Sequence, residues 1–324
     1  MGYGGYSHEA HVAFTDARSG LARESVFSQR SCHPLMNPKG LRARECRDSA
    51  DHPRSLAVAF ALDVTGSMGG IPDLLARQEL PKFMAALTAF GVTDPQLLFM
   101  AVGDATCDQS PLQVGQFEAT AELMDQWLTW SHLEGGGGGQ NTESYELAMY
   151  ALAEHTALDC FEKRKKRGYA FFTGDELPYP AVSKRQVEAL IGVQLDEDVP
   201  TEAVVAALQQ TWHPFFLIPD PARAGRCGDR WRGLLGDHCV VMDGPLDTCA
   251  VAAALVAIGE GLVRGEADVA AGLERAGLER ARVAGAMRAL APFIDGAGLS
   301  APPPLARPPA DGGGLVSWIK AMLT

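Results

Sequence analysis

Hydrophobic positions along the chain follow two periodicities. Five short runs are apolar almost without interruption: Ser55–Asp63 (SLAVAFALD), Gln96–Val102 (QLLFMAV), Tyr169–Thr173 (YAFFT), His213–Ile218 (HPFFLI) and Cys239–Met242 (CVVM). Runs of this length and kind predict strands covered on both faces of a parallel sheet. The second and third each lead into Gly-Asp. Residues around Val114 predict a short edge strand. Between the runs, apolar residues recur at helical spacing over Ile71–Phe90, Thr120–Leu133, Glu143–Glu154, Thr201–Gln210 and Thr248–Leu262. Pro72 suits a first turn, whereas Pro81 should kink or break its helix. The helix at Thr248–Leu262 is apolar nearly all round and should be well buried. Strands alternating with helices predict an α/β fold, a doubly wound, mostly parallel sheet flanked by helices and joined by right-handed crossovers. Functional groups of such sheets gather at the carboxyl ends of the strands.

The flanks read differently. Residues 1–50 look irregular, with one helix near Glu9–Arg18, and are expected to pack on or near the core formed by residues 51–264. A further helix, Asp268–Phe293, falls within a C-terminal segment 265–300. Residues 301–324 combine a stiff PPPLARPP linker with a short amphipathic tail in which Leu315, Trp318, Ile319, Met322 and Leu323 share one helical face.

Charge narrows the function. The 324 residues carry 28 Lys plus Arg against 40 Asp plus Glu, a net −12, yet residues 1–50 hold seven basic and five acidic residues. An acidic body repels phosphate backbones and anionic lipid, which argues against nucleic-acid or membrane partners and suits a divalent cation. The KRKKR run at Lys163–Arg167, placed between a helix and a strand, is expected to complement a helix C-terminus rather than bind polyanions. Seven scattered cysteines show no CxxC or Cys/His spacing. No basic-then-apolar leader is visible, and no apolar run approaches the roughly 20 residues needed to cross a bilayer. A cytoplasmic protein is expected.

The most informative segment is DVTGSMGG, Asp63–Gly70, where the first strand should turn into the first helix. A carboxylate and two hydroxyls recur at alternate positions, Asp63, Thr65 and Ser67, so a tight turn can aim them at one point. Hard oxygen donors of this kind suit Mg²⁺ or Mn²⁺. The same residues can simply cap a helix. The glycine run Gly135–Gly139 lacks the Lys-Ser/Thr of a phosphate-binding loop, and a helix starting directly after it favours a close-approach loop beside the site.

Asp-x-Thr-x-Ser after an apolar strand resembles the first part of the metal-ion-dependent adhesion site of von Willebrand factor A domains. The segments HPRSLAVAFALDVTGSMGGIP, VGDATCDQSPLQVGQFE, LEGGGGGQNTESYELAMY and FFTGDE together resemble a bacterial, stand-alone subfamily of such proteins, from about Arg44 to about Glu260. The resemblance implies a Rossmann-like fold that binds a protein partner through a metal at the top of the sheet, in bacterial signalling, stress or conflict systems. It also implies a second loop supplying a Thr and a third supplying an Asp from Thr-Asp-Gly. The third loop here reads Thr173-Gly174-Asp175-Glu176, displaced by one residue. Asp175 is its candidate ligand, acting through water, with Glu176 as the alternative. In the second loop Gln140 stands where the family has its metal-binding Thr, and Thr142 is the alternative. Gly66, Asp104, Glu143 and Glu176 would flank the ion or face the partner, and Asp104 and Asp108 also suit structural roles in a turn.

Three functions follow as expectations. The first is a non-enzymatic interaction module in which a partner's Asp or Glu completes the shell of Mg²⁺ or Mn²⁺. The second is a metal-assisted hydrolase or phosphatase, for which Glu134, Glu143 and Glu176 are the available bases. The third is a scaffold whose metal site has degenerated.

Overall fold

Six strands form the central sheet: β1 (Leu56–Asp63), β2 (Pro95–Val102), β3 (Leu112–Val114), β4 (Gly168–Thr173), β5 (Trp212–Ile218) and β6 (Cys239–Val241). Their order is β6-β5-β4-β1-β2-β3, parallel throughout except for the antiparallel edge strand β3. The computed structural model describes residues 4–135, 139–294 and 299. The predicted linker and amphipathic tail at 301–324 lie outside the described residues.

All eight residues of β1 are buried, as a strand covered on both faces requires. Its side chains alternate by size. Leu56, Val58, Phe60 and Leu62 enter one core, while Ala57, Ala59 and Ala61 enter the other. In the first core Phe60 meets Phe83, Phe99 and Phe171 at ring-centroid distances of 5.0, 6.2 and 5.2 Å. Truncating such a residue to Ala costs about 3–5 kcal/mol. This face is covered by helices that include α2 (Leu80–Phe90), α3 (Ala121–Thr129) and α7 (Thr248–Gly259), with α1 (His8–Ser19) packed on α2 and α3. The opposite face carries α4 (Tyr145–Glu154), α5 (Thr201–Thr211) and α6 (Pro221–Leu235).

Several expected elements differ in detail. The helix over Ile71–Phe90 divides into Ile71–Leu74, a π turn at Leu75–Glu79 and α2, with Pro81 in the first turn of α2. The helix expected from Glu143 begins at Tyr145, because Thr142–Glu143 instead pairs in parallel with Leu177–Pro178. The helix expected over Asp268–Phe293 is two, α8 (Glu266–Arg275) and α9 (Arg280–Ile294). Gly277 separates them with a φ of 85°, its N–H bonded to Glu274 O while Leu278 N–H returns to Leu273 O. This is a glycine C-terminal cap with both of its characteristic hydrogen bonds.

α6 has no counterpart among the expected helices. Glycines at 225, 228 and 233 and repeated arginines hide its apolar stripe of Cys227, Trp231 and Leu235. The N-terminal segment is more ordered than its composition suggests: α1 is followed by the short helix Arg23–Val26, and the strand Arg44–Cys46 pairs with Thr156–Leu158. Val26 and Phe27 join the first core, as do Leu290 and Phe293 of α9. In the basic run, Lys163 and Arg164 close the helix Asp159–Arg164 and bond to Asp48, with Lys163 also reaching Asp159. Among the described residues, all seven cysteines are free and no helix is long and apolar enough to cross a membrane.

Strand order places a crevice at one definite point. From β1 the chain winds outward through β2 and β3. It then restarts on the other side of β1 with β4 and continues through β5 to β6. The carboxyl ends of β1 and β4 are therefore the place where direction reverses, and their connecting loops diverge there.

Candidate functional site

Asp63 is the last residue of β1 and is fully buried. Its Oδ1 accepts the Thr65 N–H at 2.9 Å and the Thr65 hydroxyl at 2.6 Å. Its Oδ2 accepts the hydroxyl of Tyr145 in α4. Burial pushes the Asp63 carboxyl up to about 6; the Thr65 and Tyr145 hydrogen bonds oppose this, and the charge of Asp175 reinforces it. Gly66–Met68 forms a single 3₁₀ turn, which keeps Thr65 and Ser67 neighbours with oxygens 3.2 Å apart. The Ser67 hydroxyl donates to Asp175 Oδ1 at 2.8 Å. One continuous row thus runs from Asp63 through Thr65 and Ser67 to Asp175, joining the loops after β1 and β4.

The displaced order Thr-Gly-Asp has a steric cause. A Cβ at position 174 would lie 2.1 Å from the Tyr145 hydroxyl oxygen, so only glycine fits between β4 and Asp175. Asp175 is fully buried, and α6 supplies its counter-charges. Arg223 Nη1 donates to Asp175 Oδ2 at 2.7 Å and to the Ser67 carbonyl at 2.8 Å, and Arg226 Nη1 reaches the same Oδ2 at 3.2 Å. Asp220 caps α6 and holds Arg223 Nε at 2.8 Å. Arg223, Arg226 and Tyr145 are site residues that sequence reasoning missed. For the arginines a signal existed, since Asp220-Pro221 is a cap followed by proline in the first turn. Nothing local marks Tyr145.

The second loop resolves differently from its expectation. Gln140 Nε2 donates to Asp104 Oδ2 and, at 3.0 Å, to the Thr106 hydroxyl. Thr142 sits in the short ladder opposite Leu177. Asp104, at the end of β2, accepts the Thr106 N–H and hydroxyl, both at 2.8 Å, and the Tyr179 hydroxyl at 3.0 Å. Burial alone would raise its carboxyl, but these bonds outweigh it and hold Asp104 below the ordinary carboxylate value. Asp108 Oδ2 accepts the Asp104 N–H at 2.7 Å, and Glu134 accepts the N–H groups of Gln109 and Ser110 at 2.6 and 2.9 Å. Asp104, Asp108 and Glu134 therefore fasten loops.

Glu143 and Glu176 are arranged otherwise. Both are buried, 4 and 8% exposed, and in each the Oε2 has no hydrogen-bond partner among the described residues. They line a cleft of about 500 Å³ together with Thr65, Ser67, Gln140 and Asn141. Gly135 and Gly139 border it too, and the Gly135 N–H donates to Val64 O at 3.2 Å, so the start of the glycine run lies against the β1 loop. Burial, then the charges of Asp63 and Glu176, push Glu143 up to about 10. Burial and the charges of Asp175 and Asp63 bring Glu176 to about 7. The Glu176 main chain is fixed by Trp231, whose Nε1 donates to its carbonyl at 2.9 Å.

A divalent cation fits the donor chemistry here. The Thr65 and Ser67 hydroxyls can spend their protons on Asp63 and Asp175, leaving lone pairs for a cation. Their 3.2 Å spacing matches adjacent corners of an octahedron, about 3 Å for metal–oxygen bonds of about 2.1 Å. Among the described residues no group of three His, Cys, Asp or Glu side chains is gathered around a point in the manner of a metal centre. Any cation here would have to rely partly on hydroxyls.

No protein-family model matches this chain, and no match is found among curated proteins. Solved structures do resemble it in backbone arrangement. Proximal thread matrix protein 1 from the mussel byssus is 10% identical with a TM-score of 0.41, over 69% of this chain and 51% of that one. A von Willebrand factor type A protein from Catenulispora acidiphila is 13% identical with a TM-score of 0.37, over 63 and 42%. The pilus adhesin SpaC from Lactobacillus rhamnosus GG is 9% identical with a TM-score of 0.40, over 68 and 31%. This chain therefore spans about half or less of each of them, and none of these likenesses bears on the chemistry of the cleft.

Proposed function

We propose that this protein is an interaction module of the von Willebrand factor A type, which takes up Mg²⁺ or Mn²⁺ in the cleft at the carboxyl ends of β1 and β4. Thr65 and Ser67 would hold the ion, with Asp63 steadying Thr65 and Asp175 steadying Ser67 from behind. The observation that carries this reading is the row Asp63–Thr65–Ser67–Asp175, whose two hydroxyls line the cleft at metal-ligand spacing. When bound, the ion would supply a Lewis-acidic position for a carboxylate oxygen of a protein partner. The half-exposed Arg226, bonded to Asp175 behind Ser67, would add positive charge to this side of the site. Mg²⁺ or Mn²⁺ should raise the melting temperature of the protein, and Asp63→Ala should abolish the rise. A melting curve indifferent to both ions would remove the proposal.

One observation favours a second reading, metal-assisted hydrolysis: Glu176, brought to about 7, has the proton affinity of a general base. Turnover of generic phosphoesters in the presence of Mn²⁺, lost in Glu176→Gln, would select that reading over the module.

A further inference from the structure

Asp175, Gln140 and Thr142 are the residues that the resemblance would recruit beyond the first loop, and each is otherwise engaged. Both Asp175 oxygens are taken, Oδ1 by Ser67 and Oδ2 by the two arginines. Gln140 is bonded to Asp104 and Thr106, and Thr142 is absent from the residues lining the cleft. Glu143 and Glu176 present the opposite situation. Their backbones are brought side by side by the two-residue parallel ladder in which Thr142 faces Leu177 and Glu143 faces Pro178. Both side chains line the same cleft as Thr65 and Ser67, both are more than nine-tenths buried, and each keeps one carboxylate oxygen without a partner among the described residues. A buried carboxyl oxygen left unbonded is costly; a proton on Glu143, shared toward Glu176, relieves the pair only in part, and a cation that displaces it would satisfy both free oxygens at once.

We infer that Glu143 and Glu176 are the carboxylate ligands of the cation in this cleft, in place of the Gln140 or Thr142 and the Asp175 that the resemblance suggests. The inference rests on the cation reading above and deepens it. Hydroxyls from the β1 loop and carboxylates from the Glu143–Glu176 pair would enclose the ion from two sides. The Asp175–Arg223–Arg226 group would remain a neutralised wall behind Ser67. Such a site uses only oxygen donors, which suit Mg²⁺ and Mn²⁺.

The test uses Mn²⁺ alone as probe, with binding to the full chain read by loss of the free Mn²⁺ electron paramagnetic resonance signal. Glu143→Gln and Glu176→Gln should each weaken Mn²⁺ binding at least tenfold, while Thr142→Ala and Gln140→Ala change it less than threefold. The melting temperature in EDTA provides the control for folding. Glu143→Gln relieves carboxylate crowding, so it should melt no lower than the parent there, and lost binding then reflects a lost ligand. Parent-like binding by both Glu variants, with binding lost in Ser67→Ala, would overturn the inference and leave the cation reading standing. Loss in Thr142→Ala or Gln140→Ala with the Glu variants unaffected would restore the ligand set of the resemblance. Absence of Mn²⁺ binding by the parent chain would end both.

Discussion

Glu146 offers the most quantitative test of how this fold treats its carboxylates. It lies in the first turn of α4, fully buried, with Oε2 accepting the Tyr179 N–H at 3.1 Å and Oε1 unpartnered among the described residues. Burial pushes its carboxyl up from 4.5 to about 8, against the opposing hydrogen bonds. The folded protein therefore keeps the Glu146 proton at a pH where the unfolded chain has released it. Stability from this residue is full below about 4.5, declines through the neutral range, and is lost once pH passes the folded value near 8. At about 1.4 kcal/mol per pH unit, the whole span amounts to about 5 kcal/mol. Glu146→Gln keeps an acceptor for Tyr179 and has no proton to lose. Urea unfolding in EDTA, followed by tryptophan fluorescence at intervals from pH 5 to 8.5, measures both proteins. Trp212 and Trp231 are fully buried and should report the transition. The variant should lie within about 1 kcal/mol of the parent at pH 5 and lead it by several kcal/mol at pH 8.5. Subtracting the two curves cancels Asp63, Glu143 and Glu176, which share the same sign. Parallel curves would refute the reasoning, because they would mean that Glu146 ionises freely inside the fold.

The remaining predictions concern the same end of the sheet and one distant core. Arg223→Ala leaves buried Asp175 with the Ser67 hydroxyl and only the longer of its two arginine bonds, to Arg226, and should cost about 2–4 kcal/mol in urea unfolding; adding Asp175→Asn should recover most of it. Gly174→Ala should lose more than about 3 kcal/mol through collision with Tyr145, and Tyr145→Phe in the same chain should return part of that loss. Burial lowers His213 to about 3, so its proton is taken up only on unfolding; stability present above about 6.5 should fall as pH drops toward the folded value. His213→Phe should flatten that acid decline by up to about 1.4 kcal/mol per pH unit, measured by the same unfolding experiment.

The sheet was legible because strands buried on both faces cannot hide. SLAVAFALD, QLLFMAV, YAFFT and HPFFLI leave no polar alternation to confuse with a surface strand, and all five apolar runs, CVVM included, became β1, β2, β4, β5 and β6 within one residue at each end. Asp63, Thr65, Ser67 and Asp175 were legible as a group, and the fold does bring them into one hydrogen-bonded row. α6 was not, since its apolar stripe of Cys227, Trp231 and Leu235 is only one residue per turn, has a glycine beside it and is outnumbered by arginines and glycines. Missing it concealed Arg223 and Arg226, and with them the fact that Asp175 is already neutralised. The partnership of Glu143 with Glu176 was invisible for another reason. It depends on a two-residue ladder, too short for any periodic signal, that sets two loops side by side.

Gly174 and Tyr145 carry a consequence for reading other chains built on this plan. Each fills the space the other leaves, and Tyr145 also anchors Asp63. The order Thr-Gly-Asp after the central strand should therefore appear together with a tyrosine two positions beyond the glutamate of the second loop. Where that tyrosine is replaced by something smaller, the glycine is released from its constraint. The two positions should vary in concert, so a diagnostic pattern for such chains spans both loops at once.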